Sequence, residues 1–200
     1  MFLIFYLTRI KIFFKDVKLQ ALDLLLTRQS CPRLSAPAPN QEQINIILDA
    51  ATRVPDHGSL TPWEFIIVKG EGLTKLAEIF KQATFKLSGD ENKANRAFSL
   101  PARAPMMIIC VAKCVEHVKI PILEQQISAA CSVMAMQQSA FALGYGGIWR
   151  TGELAFNSDV NEALNLNPLD QIVGFLYLGS QTVEMPVKPR RSGQDFARYL

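Results

Sequence analysis

The stretch from Ile122 to Trp149, ILEQQISAACSVMAMQQSAFALGYGGIW, constrains this chain more than any other. It predicts one long helix running into a glycine-rich loop. Ile122, Leu123, Ile127, Val133, Met134, Met136, Phe141 and Leu143 do not share a single stripe. A helix that is apolar nearly all round has to be buried on most of its circumference, in a core or against a partner subunit. Glu124, Gln125, Gln126, Gln137 and Gln138 interrupt it too often for a membrane span, which needs roughly 20 predominantly apolar residues. The run Ala129 to Ser132 is small and lets another helix approach closely. Gly144 suits a left-handed helix cap, and Gly146 and Gly147 permit a closeness of backbone to ligand that a Cβ forbids.

Two hundred residues suit one domain with a real core. A net charge of +3, with basic residues scattered apart from Lys188, Arg190 and Arg191, argues against a nucleic-acid partner. The four cysteines, Cys31, Cys110, Cys114 and Cys131, form no CxxC pair and sit mostly in apolar runs. With the two histidines far apart, no metal site is expected. Reduced cysteines packed as small hydrophobes in a cytoplasmic protein are the expectation. Residues 1–17 carry an apolar run too short to span a bilayer, and the positive charge follows the run where a signal peptide places it before. An added strand or helix, a membrane-surface appendage and an upstream start codon read through are the three readings. An N-terminal extension dispensable for function, ahead of a domain over 18–200, is the favoured one. No membrane partner is expected.

In chain order, Lys18 to Gln29 predicts a helix with Leu19, Leu22, Leu25 and Leu26 on one face. Asn40 to Ala51 predicts another, with Asn40 and Gln43 at capping-box spacing and Ile44, Ile47, Leu48 and Ala51 as its inner face. Arg53 to Trp63 is loop by its Pro, Asp, Gly and Ser content, and Glu64 to Lys69 a short strand. Leu73, Leu76, Ala77 and Phe80 mark a third helix, and residues 86–99 a polar, mobile excursion with a helical part. Pro105 to Ala112 is a buried central strand. After the long helix come a short helix over Asn157 to Leu164 and a second buried strand, Ile172 to Leu178. The sum is α+β, with three strands separated by helices. The polar tail from Gln181 has no core of its own and must lie on its own domain or on another subunit.

Three polar clusters could carry chemistry. Arg28-Gln29-Ser30, with Arg33 beyond, offers planar guanidinium and hydroxyl donors suited to phosphate. Taken alone, a basic helix C-terminus complementing its dipole is the stronger reading. Arg53 with Asp56 and His57 can meet an anionic or hydrogen-bonding ligand, though a His beside an Asp is more often a satisfied turn residue. Gly146-Gly147-Ile148-Trp149-Arg150-Thr151 can present backbone N–H groups to a flat heterocycle, or be an ordinary loop with a buried Trp. No GxGxxG follows a strand, and neither GxxxxGK[ST] nor GxSxG occurs. What remains is a site of arginines and glycine backbone without an evident protein nucleophile, which fits a bound cofactor doing the chemistry.

At these residues the chain resembles the FMN-dependent nitroreductase family, most closely a short bacterial branch, from about Leu19 to Leu178. The marks are LLLTRQSCPRL (24–34), the segment 36–72, APMMIICVAKC (104–114), EQQISAACSVMAMQ (124–137), GYGGIWRTG (144–152) and QIVGFLYLGS (171–180). Their order and spacing are specific together, and any one alone is weak. The resemblance implies an α+β fold with a mixed central sheet flanked by helices, and a homodimer whose interface holds the long helix and the FMN pocket. It carries flavin contact over to Arg28, Gln29 and Ser30, to Arg53 and His57, and to Trp149, Arg150 and Thr151. It implies ping-pong hydride transfer through flavin N5, from NADH or NADPH to a small-molecule acceptor such as a nitroaromatic or quinone. Arg28 would supply positive charge beside the ring, and no protein residue is catalytic in its own right. Thr61 stands where the family usually has Gln, and Gln29 replaces a second Arg. These departures keep open a non-catalytic flavin-binding sensor or interaction module on the same fold. Arg190 or Arg191 is a candidate for the phosphate of the partner's flavin, with solvated charge as the plainer reading.

Overall fold

The computed structural model describes residues 21–183 and 185–200. The expected 1–17 extension and the first residues of the helix expected over Lys18–Gln29 lie outside them. In chain order the elements are α1 (Ala21–Thr27), β1 (Leu34–Ser35), α2 (Gln41–Ala51), β2 (Glu64–Lys69), α3 (Glu71–Ser88) and α4 (Glu91–Phe98). They continue with β3 (Met106–Ala112), α5 (Ile122–Ala142), β4 (Gly146–Arg150), α6 (Ser158–Ala163) and β5 (Gln171–Gln181). Short 3₁₀ turns lie at His57–Ser59, Pro101–Arg103, Glu153–Phe156 and Gly193–Phe196.

β3 and β5 form the centre of one sheet, because an unbroken β-branched and apolar run can only be buried on both faces. All seven residues of β3 are buried. The sheet order is β1-β5-β3-β2, with β4 also paired to β5. The sheet is central and flanked by helices as expected, and among the described residues all its pairings are antiparallel rather than mixed in direction. The register slips between Cys110 and Val111, whose partners are Gly174 and Ile172, so Val173 bulges from the ladder.

Alternation along the strands sorts the core into two layers. Met106, Ile108, Cys110, Leu176 and Leu178 meet α2 and α5 through Ile44, Ile47, Ala129, Val133 and Met136. Met107, Ile109, Val111, Phe175 and Tyr177 meet Leu76, Phe80 and Ala83 of α3, Ala97 of α4 and Val160 of α6. Each fully buried Val, Leu, Ile, Met or Phe among them stabilises the fold by about 1.5–3 kcal/mol. α2 begins at the expected capping box, with Asn40 Oδ1 accepting from Gln43 N–H at 3.0 Å and Gln43 Oε1 accepting from Asn40 N–H at 2.9 Å.

Two expectations need correction, and a third is met only in part by the single chain. Among the described residues five strands are present where three were expected, since β1 is too short to show a pattern and β4 begins with two glycines. The segment 86–99 is not a loose excursion: α3 runs on to Ser88, and α4 starts from an Asp90 cap accepting from Asn92 and Lys93 N–H and buries Ala94 and Ala97. The long helix is not buried around most of its circumference in the single chain. α5 buries Gln125, Ser128, Ser132 and Gln137 and leaves Leu123, Ile127 and Met134 exposed. Its inward polar groups are satisfied by backbone, Ser132 Oγ donating to Ala51 O at 2.9 Å and Ser128 Oγ to Pro55 O at 2.7 Å. Gln125 bonds the carbonyls of Val115 and Ile120 and the N–H of Val115. Leu22, Leu25 and Leu26 of α1 are exposed as well.

Candidate functional site

Backbone pairing brings the first and third polar clusters together. The chain leaves α1 at Arg28 and is fastened to β4 by a hydrogen bond from Cys31 N–H to Gly147 O at 2.9 Å. Gln137, on the inner face of α5, donates its Nε2–H to the same carbonyl at 2.9 Å. Gly146 and Gly147 therefore belong to a strand, not to the expected loop. A Cβ on Gly146 would stand 2.7 Å from the side chains of Leu34 and Gln181, and one on Gly147 3.2 Å from Tyr177 O. The glycines admit neighbouring chain, not ligand.

The result is a cleft of about 480 Å³ lined by Arg28, Ser30, Met134, Gln137, Trp149 and Thr151. Four of the eight expected residues thus converge on one space, and Met134 and Gln137 join them. The sequence signal for Gln137 was a polar residue in an otherwise apolar helix, which reads equally as a surface position. Trp149 forms a wall, its indole N–H donating to the bulged Val173 carbonyl at 3.1 Å. The Arg28 guanidinium is held below its usual range, first by burial and second by the nearby positive charge of Arg190. Two guanidiniums in one neighbourhood suit an anion.

The other four expected residues lie elsewhere in the single chain. Gln29 holds the tail: its Nε2–H group reaches Pro186 O at 2.9 Å and Met185 O at 3.3 Å, and its Oε1 accepts from Lys188 N–H at 3.2 Å. The start of the tail thus packs on its own domain. Arg150 follows Trp149 in β4 and points to the opposite face of the sheet, where it lines a second cavity. Arg53 is exposed, and His57 Nδ1 lies 2.7 Å from Glu124 Oε2 at the start of α5. Along the helix axis Glu124 is about 20 Å from Gln137, so a single chain does not bring this pair to the cleft. Asp56 holds its own loop, accepting from Leu60 N–H at 3.1 Å and Thr61 N–H at 2.8 Å. Thr61 sits there at φ 46°, a conformation costly for a β-branched residue.

Among the described residues no three or more His, Cys, Asp or Glu cluster as metal ligands, and no helix is long and apolar enough to cross a membrane. The nitroreductase family model matches residues 25–180. YdjA of Escherichia coli K12, whose name assigns it provisionally to the NAD(P)H nitroreductases, is 46% identical over 162 residues, covering 81% of this chain and 88% of that protein. The crystal structure of a nitroreductase-like family protein from Bacillus cereus superposes with a TM-score of 0.78 at 19% identity, covering 92% of this chain and 98% of that one. A nitroreductase with bound FMN from Bacteroides fragilis superposes with a TM-score of 0.68 at 22% identity, over 86% and 95% of the two chains. From residue 25 to residue 180, and in the order of its motifs, the chain belongs to the nitroreductase family.

Proposed function

We propose that this protein is an FMN-dependent NAD(P)H oxidoreductase that reduces nitroaromatic or quinone-type acceptors, working as a homodimer. The observation that carries the reading is the convergence of Arg28, Ser30, Trp149 and Thr151 on one cleft between the exit of α1 and the end of β4. The donor set fits FMN. Arg28, with Arg190 near it, and the Ser30 hydroxyl suit a phosphate dianion, and the Trp149 and Met134 side chains suit the apolar body of a flat ring. The cleft volume of about 480 Å³ falls within the range of small-molecule sites. A Bacteroides fragilis relative of the same fold binds FMN.

When bound, FMN supplies the redox chemistry, hydride transfer at its N5 between NADH or NADPH and an acceptor that takes the nicotinamide's place. The chain's own residues bind and orient. Arg28 brings positive charge to an anionic ligand in a half-buried setting, where charge interactions are stronger than in water. Gln137 fixes the Gly147 carbonyl, so β4 cannot drift from the Arg28–Ser30 segment. Trp149 is held rigid by Val173 and closes one side against solvent.

The homodimer follows from α5. A helix that turns polar residues inward and Leu123, Ile127 and Met134 outward needs a covering surface, and the exposed leucines of α1 extend the same requirement. A two-fold axis near the middle of α5 would carry the partner's Arg53 and the partner's His57 from the start of one helix toward the cleft at the end of the other. That gives the second polar cluster a place at the site.

The visible spectrum of purified protein, followed anaerobically on adding NADH or NADPH, tests the reading. Yellow protein that bleaches and recovers its colour with a nitroaromatic or quinone upholds it. Yellow protein that stays yellow reduces it to a flavin-binding module. Colourless protein that takes up no FMN overturns it.

A further inference from the structure

A second cavity, of about 320 Å³, lies across the sheet from the cleft, on the α3 side, and shares only Thr151 with it. Its inner wall is aromatic. Phe80 and Phe175 meet edge to face with ring centroids 5.4 Å apart, and Tyr177 is 3% exposed beside them. Its mouth carries two guanidiniums. Arg150 projects here because it stands opposite Phe175 in the β4–β5 ladder, and Arg103 arrives from the Pro101–Arg103 turn after α4. Among the described residues neither arginine forms an ion pair.

The Tyr177 hydroxyl is the second observation. The Tyr177 ring is buried, while its hydroxyl makes no hydrogen bond among the described residues and is not fully enclosed, which leaves it open to the cavity that the residue lines. Burial is the main influence on its ionisation and raises its pKa, while the charges of Arg103 and Arg150 act in the opposite sense. Both guanidiniums line the same cavity as the hydroxyl.

We infer that this cavity is a binding site, separate from the flavin cleft, for a small aromatic carboxylate. The ring would pack on Phe80, Phe175 and Leu154, and the carboxylate would accept from Arg103, Arg150 and the Tyr177 hydroxyl. Arginine is the side chain suited to hold a planar carboxylate by paired hydrogen bonds. The apolar wall selects against inorganic phosphate. The volume, at the low end for ligand sites, admits a single substituted ring but not a nucleotide. The site does not depend on the redox reading, since it is built on the other face of the sheet from residues that do not line the cleft, Thr151 apart.

The probe is 4-fluorobenzoate, titrated into FMN-saturated protein and followed by ¹⁹F NMR, for wild type, Arg103→Ala and Tyr177→Phe. Both variants are checked for an unchanged melting transition. Saturable binding to wild type is expected, weakened about tenfold or more in Arg103→Ala and about threefold in Tyr177→Phe, as loss of a charged and a neutral donor predicts. Absence of saturable binding to wild type overturns the inference. So does equal affinity in wild type and Arg103→Ala, which would place the probe over the flavin instead. Tyr177→Phe keeps the ring and the fold, so the site stays testable even if Arg103→Ala proves unstable.

Discussion

Trp149 lies so close across Gly174 that a Cβ on Gly174 would stand 2.2 Å from the indole nitrogen. The bulge at Val173 supplies the hydrogen-bond acceptor, and the glycine beside it supplies the room. Gly174→Ala therefore has to displace the indole, because the group that its Cβ meets is a rigid ring. A cost of about 1–3 kcal/mol is expected for such overpacking, with weaker FMN retention because the cleft wall moves. Thermal melting together with flavin absorbance checks both, and an Ala variant that matches wild type in both would show that the ring is not held as described.

Arg28→Ala removes the half-buried guanidinium of the cleft while leaving the β4 attachment through Cys31 intact. Loss of a charged hydrogen-bond donor weakens FMN by about tenfold or more, with little change in melting of the flavin-free protein. Flavin content after dialysis is the measurement, and full occupancy would sink the phosphate role.

Much of this was legible in the sequence for identifiable reasons. Helix α2 announced itself through a local capping box and a clean inner stripe, and β3 through an uninterrupted apolar run between prolines. Gly146 and Gly147 misled because glycine in a strand and glycine in a loop look alike without the neighbour. Here Leu34 comes from more than a hundred residues before Gly146 and Gln181 from well beyond it, and only the fold brings them together. The same holds for the site. Arg28, Ser30, Trp149 and Thr151 were found by residue type, but the departure of Gln29 toward the tail and of Arg150 through the sheet depends on which way each side chain points. Which face of α5 turns inward was not legible, because its polar residues satisfy backbone carbonyls far off in sequence.

Gln29→Ala should release the tail. The residue makes three hydrogen bonds to Met185, Pro186 and Lys188 backbone, and the alanine can make none. Faster tryptic cleavage at Arg190 and Arg191 is expected, with a global stability change of only about 1 kcal/mol because the bonds are largely at the surface. Identical cleavage rates would mean that the tail is held by something other than Gln29.

Lys113 and Asp170 form the pair most sensitive to a single change. The Asp170 side chain is 1% exposed, 2.5 Å from Lys113 Nζ, and also accepts from Asn167 N–H at 2.8 Å. Lys113→Met strands a buried carboxylate. Since the ammonium is itself a third exposed, the cost should lie below the about 3–5 kcal/mol of a fully buried pair. Adding Asp170→Asn should restore much of it, and a double variant no more stable than the single one would contradict the pairing. The hydrogen bond to Asp170 raises the Lys113 pKa above 10.5. A raised lysine stabilises fully below its unfolded pKa and loses that contribution as pH rises through the folded value. Wild type should therefore lose alkaline stability above about pH 10.5 more steeply than the double variant.

Ile127 stands at the centre of the outward stripe of α5, 53% exposed in the single chain and flanked by Leu123 and Met134 on the same face. On a monomer an Asp there would be nearly neutral, since it replaces an exposed apolar group by a hydrated one. In a homodimer packed on this face the same change buries a charge without a partner, which costs several kcal/mol at each copy. Ile127→Asp is expected to sediment as a monomer at micromolar concentration where wild type sediments as a dimer. It should also lose FMN, because the partner's Arg53 and the partner's His57 would no longer reach the cleft. Cys131, half-buried on the same helix, gives an independent reading: its thiol should react with a water-soluble disulfide reagent much faster in the variant than in wild type. Cys110 should stay silent in both, since burial pushes its pKa to about 12 and removes the reactive thiolate. Sedimentation of wild type as a monomer would leave Arg53 and His57 without a route to the site and would confine flavin contact to the residues that one chain brings together.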